Sequence, residues 1–260
     1  LFAFNKDHFK EIVTQNGWVR KFYEVIKQLM GEGLIDRFFA TGVTPVTLDS
    51  MTSGFNVAHN ISLDQKFHEM AGFTELELKS LIENTIHDEG KFELDSLIPD
   101  MRAWYNGSKF SANAGERLYN PQMVITFLAK FAYRFEYPDE MSDINVTSDY
   151  KKISNILGLL PAEEADAIIG EILESDSVSE KLTLQFNFEL PYTRIEAISL
   201  LFYNGLLTIN NASFQVYDLV IPNHVIKVLY WEYFRSLFEA RNQIKYESVP
   251  VRDALIEMAT

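Results

Sequence analysis

Hydroxyl and carboxylate side chains follow a short apolar segment near the start of the chain. The segment, residues 34–40, lies between two glycines, and its apolar side chains predict a buried β-strand. The loop after it carries Thr41, Asp49, Thr52 and Ser53 among other small, turn-forming residues. In open α/β sheets, ligands bind in the crevice beyond the carboxyl ends of the strands. The loop is therefore a candidate binding site, and the alternative is a polar connection between two elements.

The composition limits the classes of function. The 260-residue chain has a formal net charge of −14, which argues against coating nucleic acid or an anionic membrane through its overall field. The net charge does not exclude binding through a local basic patch. There is no cysteine for a disulfide or a thiolate metal site, which favours a reducing compartment. Because no apolar run reaches the roughly 18 residues that span a bilayer, we expect a cytoplasmic protein without membrane contact.

The spacing of histidine and acidic residues does not favour a metal site or a nuclease site. The five histidines are scattered, without an i, i+4 pair and a third ligand nearby. Glu89-Gly90-Lys91 matches the E-x-K pattern of restriction-like nucleases, but it follows a predicted helix and lacks an upstream strand with a partner aspartate. We therefore predict no metal site in this chain.

A helix precedes the apolar segment. Residues 6–15 and 18–30 have helical apolar spacing, and the second helix ends at Gly31. With the strand at 34–40, it makes the α-then-β unit of a parallel sheet that is covered by helices. A single strand does not make a sheet, so its partners are expected upstream of Leu1 or outside this chain. On this basis we interpret the chain as an interior fragment.

The middle of the chain is predicted to be helical. Capping boxes of Ser62 with Gln65 and Thr74 with Glu77 open two helices, and Asn120-Pro121 opens a later one. The predicted helices cover residues 63–71, 75–87, 95–105, a segment from 121, and two segments between 149 and 175 that Pro161 separates.

The last third of the chain alternates strands and helices in the order of a winged-helix domain. Its predicted elements are a strand at 182–186, a helix at 194–203, a hairpin of strands 206–209 and 214–219 around the turn 210–212, and a helix at 223–239. Winged helices can place one helix in the DNA major groove, but specific contact needs several cations for the phosphates. Helix 194–203 carries one cation, Arg194, so we predict a packing role for it.

Several short motifs occur in the order found in a known family. The chain resembles the AAA-ATPase-like family of bacterial P-loop proteins over roughly residues 1 to 230. The matching motifs are TGVTPVTLDSMTSGFN from Thr41, Asn60-Ile61-Ser62, Gly72-Phe73-Thr74-Glu75, Trp104-Tyr105-Asn106-Gly107, Leu118-Tyr119-Asn120-Pro121, Phe202-Tyr203-Asn204-Gly205-Leu206-Leu207-Thr208 and Ile221-Pro222-Asn223. The chain departs from the family at Ser108, where members usually have tyrosine.

The resemblance implies a mostly α fold with small β elements, in three parts. Residues 1–60 would be the C-terminal remnant of a P-loop α/β core, 61–178 a helical lid domain, and 179–260 a winged-helix-like domain with a C-terminal helix. The P-loop signature G-x-x-x-x-G-K-[ST], which cradles nucleotide phosphates, does not occur in the chain. In the family it lies upstream. ATP and Mg²⁺ are therefore expected for the intact protein and not for this chain alone.

The resemblance also assigns a candidate catalytic residue. Thr41 matches the end of the sensor strand, where its hydroxyl could hydrogen-bond the γ-phosphate or the attacking water. The alternative is a threonine that caps the loop. Asp49, Thr52 and Ser53 follow on the same loop and are cofactor-binding candidates through local hydrogen bonds.

Three cations of the helical region could reach a nucleotide, namely Arg102, Lys109 and Arg117. A guanidinium suits phosphate because its planar fork donates two parallel hydrogen bonds. Arg117, directly before the Leu118 motif, is the cofactor-binding candidate among them, and the alternative is a surface arginine.

The function implied by the resemblance is that of a lid and winged-helix portion of an AAA-type ATPase. ATP binding and hydrolysis by the intact protein would switch a C-terminal effector, and family members commonly continue into a restriction-like nuclease domain. The expected partners are the upstream core and that downstream domain, together with a protein partner or a second copy. The alternative is a non-enzymatic module that binds protein or DNA on a degenerate P-loop scaffold.

Overall fold

In the part of the chain that the structure describes, the fold consists of helices with two small antiparallel sheets. A computed structural model describes residues 17–42, 59–86, 93–139, 141, 146–184, 186 and 191–242. The helices are α1 (Trp18–Gly31), α2 (Glu75–Thr85), α3 (Leu94–Tyr105), α4 (Pro121–Arg134), α5 (Val146–Leu157), α6 (Ala162–Ser175), α7 (Arg194–Tyr203) and α8 (His224–Asn242), with a 3₁₀ helix at Gln65–Ala71. The strands are β1 (Asn106–Ser108), β2 (Leu118–Tyr119), β3 (Ser177–Glu180), β4 (Thr208–Ser213) and β5 (Val216–Val220). The prediction of a mostly α fold with small β elements is confirmed.

Side-chain caps explain where several helices begin. The Thr74 hydroxyl accepts a hydrogen bond from the Glu77 backbone N–H, and the Glu77 carboxylate accepts one from Thr74 N–H, as predicted for α2. Asn120 caps α4 and Pro121 is its first residue. The predicted box of Ser62 with Gln65 is wrong, because Asp64 caps the 3₁₀ helix instead, its carboxylate accepting from Lys66 N–H.

The first hydrophobic core, here called the helical core, lies between α2, α3 and α4. Phe127 and Phe131 stack with their ring centroids 5.5 Å apart, and Tyr105 packs on Phe127. Its buried residues are Leu78, Ile82, Ile86, Leu97, Ile98, Met101, Tyr105, Tyr119, Val124, Phe127, Leu128, Phe131 and Val225.

The second core, here called the C-terminal core, is built by α5 to α8 and a three-stranded sheet. The strand order is β3-β5-β4, with both pairs antiparallel. Val178 on β3 faces Leu219 on β5, and both are buried, so the apolar face fixes the register. The buried set begins at Ile153 on α5 and extends to Tyr233 on α8. The predicted boundary at residue 178 falls within β3, a strand that packs against α6.

Two predicted features of the C-terminal sheet are wrong. The strand expected at 182–186 is not formed at residues 182–184, and a strand lies earlier, at Ser177–Glu180, where it pairs with β5. The hairpin turn is formed by Phe214 and Gln215 rather than by residues 210–212. Both turn residues have positive φ, 49° and 67°, which matches the twist of a two-residue hairpin. The asparagines expected to turn belong instead to β4, which contains an irregularity after Ile209.

The predicted strand at 34–40 is also wrong within the described residues. α1 is confirmed and ends at Gly31, and Gly33 in the turn after it has a φ of +72°. Residues 35–42 have no regular secondary structure. A strand needs a backbone ladder, and no described segment pairs with this one. Its apolar side chains are largely exposed, and Phe39 has 65% of its surface accessible. The predicted helix at 6–15 lies outside the described residues.

No helix in the described part of the chain combines the length and the apolar character needed to cross a bilayer.

Candidate functional site

The candidate residues of the loop after residues 34–40 are not brought together within the described part of the chain. Thr41 is exposed near the end of the irregular segment that follows α1. Asp49, Thr52 and Ser53 lie outside the described residues, as does Glu89-Gly90-Lys91. Arg117, the fifth candidate, lies elsewhere, between the two cores.

The short motifs that are scattered in the sequence meet around Arg117. Phe73 and Tyr119 form a β-bridge, with N···O distances of 3.1 and 2.8 Å in the two directions. Asn106 pairs with the same Tyr119 across β1 and β2, and Asn120 N–H donates to the Tyr105 carbonyl at 3.0 Å. This small sheet contacts β4 of the C-terminal core. We call the region where β1 and β2 meet β4 and Pro222 the seam.

Two glycines allow close packing at the seam. A Cβ on Gly72 would lie 2.7 Å from Leu118 Cβ. A Cβ on Gly107 would lie only 1.9 Å from the Pro222 carbonyl oxygen, and Gly107 has φ of +133°, a region that other residues rarely adopt. Glycine at position 107 therefore allows β1 of the helical core to pass against the loop before α8.

Arg117 joins the two sheets across the seam. Its Nη1 donates to the Gly107 carbonyl at 2.9 Å, and its Nη2 donates to Asn210 Oδ1 on β4 at 3.1 Å. Asn210 Nδ2 in turn donates to Asp218 Oδ2 on β5 at 2.8 Å. Burial lowers the pKa of Arg117 from its ordinary value. Two N–H donors of Arg117, the residue predicted to bind the cofactor, are thus hydrogen-bonded to groups of the chain itself.

Backbone groups next to Arg117 extend the seam. Lys109 N–H donates to the buried hydroxyl of Thr208 at 2.7 Å. Ile209 N–H lies 3.4 Å from the Lys109 carbonyl oxygen. The edge of β4 is therefore hydrogen-bonded to the chain that leaves β1.

His68 closes the other side of the loop between β1 and β2. The ring is buried, its Nδ1 accepts from Phe110 N–H at 3.3 Å, and its Nε2 lies 2.9 Å from the Glu116 carbonyl oxygen. Because Nδ1 accepts, the hydrogen of the neutral ring belongs on Nε2, which then donates to Glu116. His68 thereby contacts both ends of this loop and hydrogen-bonds one backbone group at each.

A charged cluster lies beside the seam at the start of α2. Glu75 Oε2 accepts from Arg102 Nε at 2.9 Å and from Arg102 Nη2, and Lys79 Nζ lies 3.4 Å from Oε1. The Tyr119 hydroxyl is 3.3 Å from the same carboxylate. The hydrogen bond from Arg102 lowers the pKa of Glu75, and burial raises the pKa of Tyr119. This carboxylate is therefore ionised and paired at neutral pH.

The chemistry of these groups is that of binding and positioning. The carboxylates of Glu75 and Asp218 are hydrogen-bonded to donors, and the Arg117 guanidinium bonds two neutral oxygens. In the described ranges, no group of three or more His, Cys, Asp or Glu side chains could hold a metal ion.

Sequence reasoning identified Arg117 and the glycine-containing motifs but missed Asn210, Asp218 and His68. Asn210 was assigned to a turn, and His68 was one of five scattered histidines. Their partners are 93 and 48 residues away along the chain, so no local pattern could show them.

Comparison with known proteins gives one distant relative. The chain is 23% identical over 247 residues to an uncharacterized protein in the vnfD 5′ region of Azotobacter chroococcum mcd 1, covering 84% of this chain and 45% of that protein. The chain thus spans less than half the length of this relative. No protein-family model and no solved structure matches the chain.

Proposed function

We propose that the chain is the lid and winged-helix portion of an AAA-type ATPase. ATP binding and hydrolysis by the intact protein switch the lid, and the C-terminal part passes that change to an effector domain. The observation that carries the proposal is the meeting of the family-like motifs at the seam, where Gly107, Arg117 and Pro222 tie the helical core to the C-terminal core.

Two further features support this assignment. The β3-β5-β4 order, with α7 before the hairpin and α8 after it, agrees with a winged-helix arrangement. The relative is more than twice as long as the part that this chain matches, which leaves room for a nucleotide-binding core and an effector in a protein of that length.

A packing role for α7 fits better than DNA reading. Its central residues Ala197, Ile198 and Ser199 are buried, as are Leu201 and Phe202. A recognition helix needs an exposed face with cations for phosphates, whereas the guanidinium of Arg194 pairs with Glu171 at 2.7 Å and Glu180 at 3.1 Å. The helix therefore serves as a scaffold for the sheet.

Nucleotide binding tests the proposal. Isothermal titration calorimetry with ATP and Mg²⁺ is carried out on the intact protein and on the 260-residue chain. We expect binding to the intact protein and none to the chain. Absence of binding to both would contradict the ATPase assignment.

Thr41 provides a residue-level test in the intact protein. Thr41→Ala is expected to lower ATP turnover by about 10-fold or more if the hydroxyl bonds the phosphate or the attacking water, since one such hydrogen bond contributes about 1.5 kcal/mol or more. Thr41→Ser keeps the hydroxyl and is the matched control, with turnover close to that of the unaltered protein. Equal turnover of both variants would remove Thr41 from the site. The loop candidates Asp49, Thr52 and Ser53 are tested by the same measurement.

The second candidate function is a non-enzymatic interaction module, and the tip of the β4–β5 hairpin favours it. Phe214 has 98% of its surface exposed and sits in the left-handed backbone region, which is strained for a bulky residue. Exposed aromatic side chains are frequent anchors of protein interfaces. If the intact protein binds no nucleotide, this hairpin is the surface to test next.

A further inference from the structure

The seam connects two hydrophobic cores that each bury their own set of side chains. We propose that the seam is a polar clamp, centred on Arg117, that makes the helical core and the C-terminal core one cooperative body. Movement of the helical core is then carried to the C-terminal core without a hinge between them.

The hydrogen bonds of Arg117 are the first argument. The guanidinium is half-buried and bonds a carbonyl of one core and a side chain of the other. Asn210 relays this contact, because its oxygen accepts from Arg117 while its amide donates to Asp218. A buried or half-buried polar group that loses its partner keeps the cost of leaving water. Opening the seam therefore breaks the hydrogen bond between the half-buried guanidinium and Asn210 Oδ1, which crosses from the helical core to the C-terminal core.

Close backbone packing is the second argument. Gly107 lies against the Pro222 carbonyl with no space for even a methyl group. Two residues further along, Lys109 is hydrogen-bonded to Thr208 and Ile209 of β4. Sliding one sheet along the other would break these contacts and drive backbone into backbone.

The first turn of α8 is the third argument, since it belongs to both cores. Val225 is buried in the helical core, whereas Ile226, one residue later, is buried in the C-terminal core. His224 makes an edge contact with Trp104 of α3 at 5.5 Å between ring centroids. Pro222 lies two residues before this turn begins at His224, so the clamp and the shared helix act on the same segment.

The clamp is a property of this chain, and its role in signalling rests on the proposed ATPase function. In that function, a nucleotide-driven shift of the lid would reach the effector through a rigid two-core body.

Differential scanning calorimetry of the 260-residue chain tests the clamp. The unaltered chain is expected to unfold in one transition with equal calorimetric and van't Hoff enthalpies. Arg117→Ala is expected to split this into two transitions about 4 °C or more apart, since the cores lose their shared stabilisation. Asn210→Ala, at an exposed strand position, removes one acceptor and is expected to give a smaller separation or a broadened transition.

Arg102→Ala is the matched control. Its guanidinium bonds Glu75 within the helical part alone, so the melting temperature falls while the transition stays single. The proposal is overturned if the unaltered chain already unfolds in two transitions, or if Asn210→Ala and Arg117→Ala each keep a single one. If Arg117→Ala does not fold, Asn210→Ala decides. No nucleotide is present, so this result is independent of whether the intact protein binds ATP.

Discussion

The seam and the region around α1 differ in how their side chains are satisfied. At the seam, the buried side chains of His68 and Thr208 and the half-buried side chain of Arg117 have hydrogen-bond partners from distant parts of the chain. Along α1, by contrast, Trp18, Phe22 and other apolar side chains remain exposed although the helix is strongly amphipathic. A local pattern of apolar residues therefore sets the helix, whereas the burial of its side chains depends on which other surfaces contact it.

The same contrast between packed and exposed positions applies to glycines, as in Gly107 and Gly115, and to aromatic side chains, as in Phe127 and Phe22. A residue at the seam is fixed by contacts on several sides, so its replacement should be costly. A residue on the exposed side of α1 has little to lose in this chain. Four substitutions or pH measurements, made on the 260-residue chain, test this contrast.

Gly107→Ala is expected to have the largest effect at the seam. The new Cβ meets a backbone carbonyl at 1.9 Å, and the φ of +133° is unfavourable for alanine, so we expect a loss of about 3 kcal/mol or more in the free energy of unfolding. Gly115→Ala is the control, since no atom lies within 4 Å of its Cβ position. Urea unfolding measures both. Equal stability of the two variants would show that the seam can yield around position 107.

The sequence predicted the helices well because their signals are local. The Thr74–Glu77 capping box and Pro121 at the start of α4 each involve neighbours in the chain. The strand at 34–40 was wrong because apolar composition does not supply a ladder partner. The hairpin was misplaced for a related reason: Phe214 turns against its own backbone preference, and the pairing of β4 with β5 decides the position.

The candidate site was predictable in part. Arg117 and Gly107 were marked by their motifs, whereas Asn210 and Asp218 enter only through the contact of β4 with β1 and the pairing of β4 with β5. Polar residues at such positions carry no sequence period, so only the assembled sheets show that they bond Arg117 and one another. The predicted nucleotide contacts of Arg117 stay a prediction.

Glu75→Gln is expected to cost about 1 kcal/mol at pH 7, because it removes the charge shared by Arg102 and Lys79 at an incompletely buried site. The pKa of Glu75 is lowered in the folded chain from its ordinary 4.5, chiefly by the hydrogen bond from Arg102. Its contribution is therefore complete above about pH 4.5 and is lost as the pH falls through the folded value. Unfolding free energy measured from pH 7 to pH 3 should decline less in the variant. Glu83→Gln, on the exposed side of α2, is the control, and an equal decline in both would contradict the assignment.

Replacing His224 should change the free energy of unfolding by less than replacing Glu75. The folded chain favours the neutral form of His224, whereas it favours the charged form of Glu75. Burial, together with Lys227, lowers the pKa of His224 below its ordinary 6.5, so the unfolded chain binds the proton more readily. Stability should therefore fall as the pH drops below about 6.5, until the folded group is protonated too. His224→Gln should remove this part of the pH profile and cost about 0.5 kcal/mol at pH 8 through the lost contact with Trp104. His59→Gln, at an exposed position, is the control, and an unchanged acid limb in the His224 variant would contradict the prediction.

Phe22→Ser on α1 is expected to have the smallest effect, within about 0.5 kcal/mol of the unaltered chain in urea unfolding. Phe22 has 55% of its surface exposed, so little apolar area returns to water when the ring is removed. The matched substitution Phe127→Ser, at a ring that is 2% exposed and stacked on Phe131, should cost about 3–5 kcal/mol or more. A loss of several kcal/mol at Phe22 would mean that this face of α1 is covered in solution. Repeating the measurement at tenfold different chain concentrations then identifies the cover, because a second copy makes the loss concentration-dependent and a contact within the chain does not.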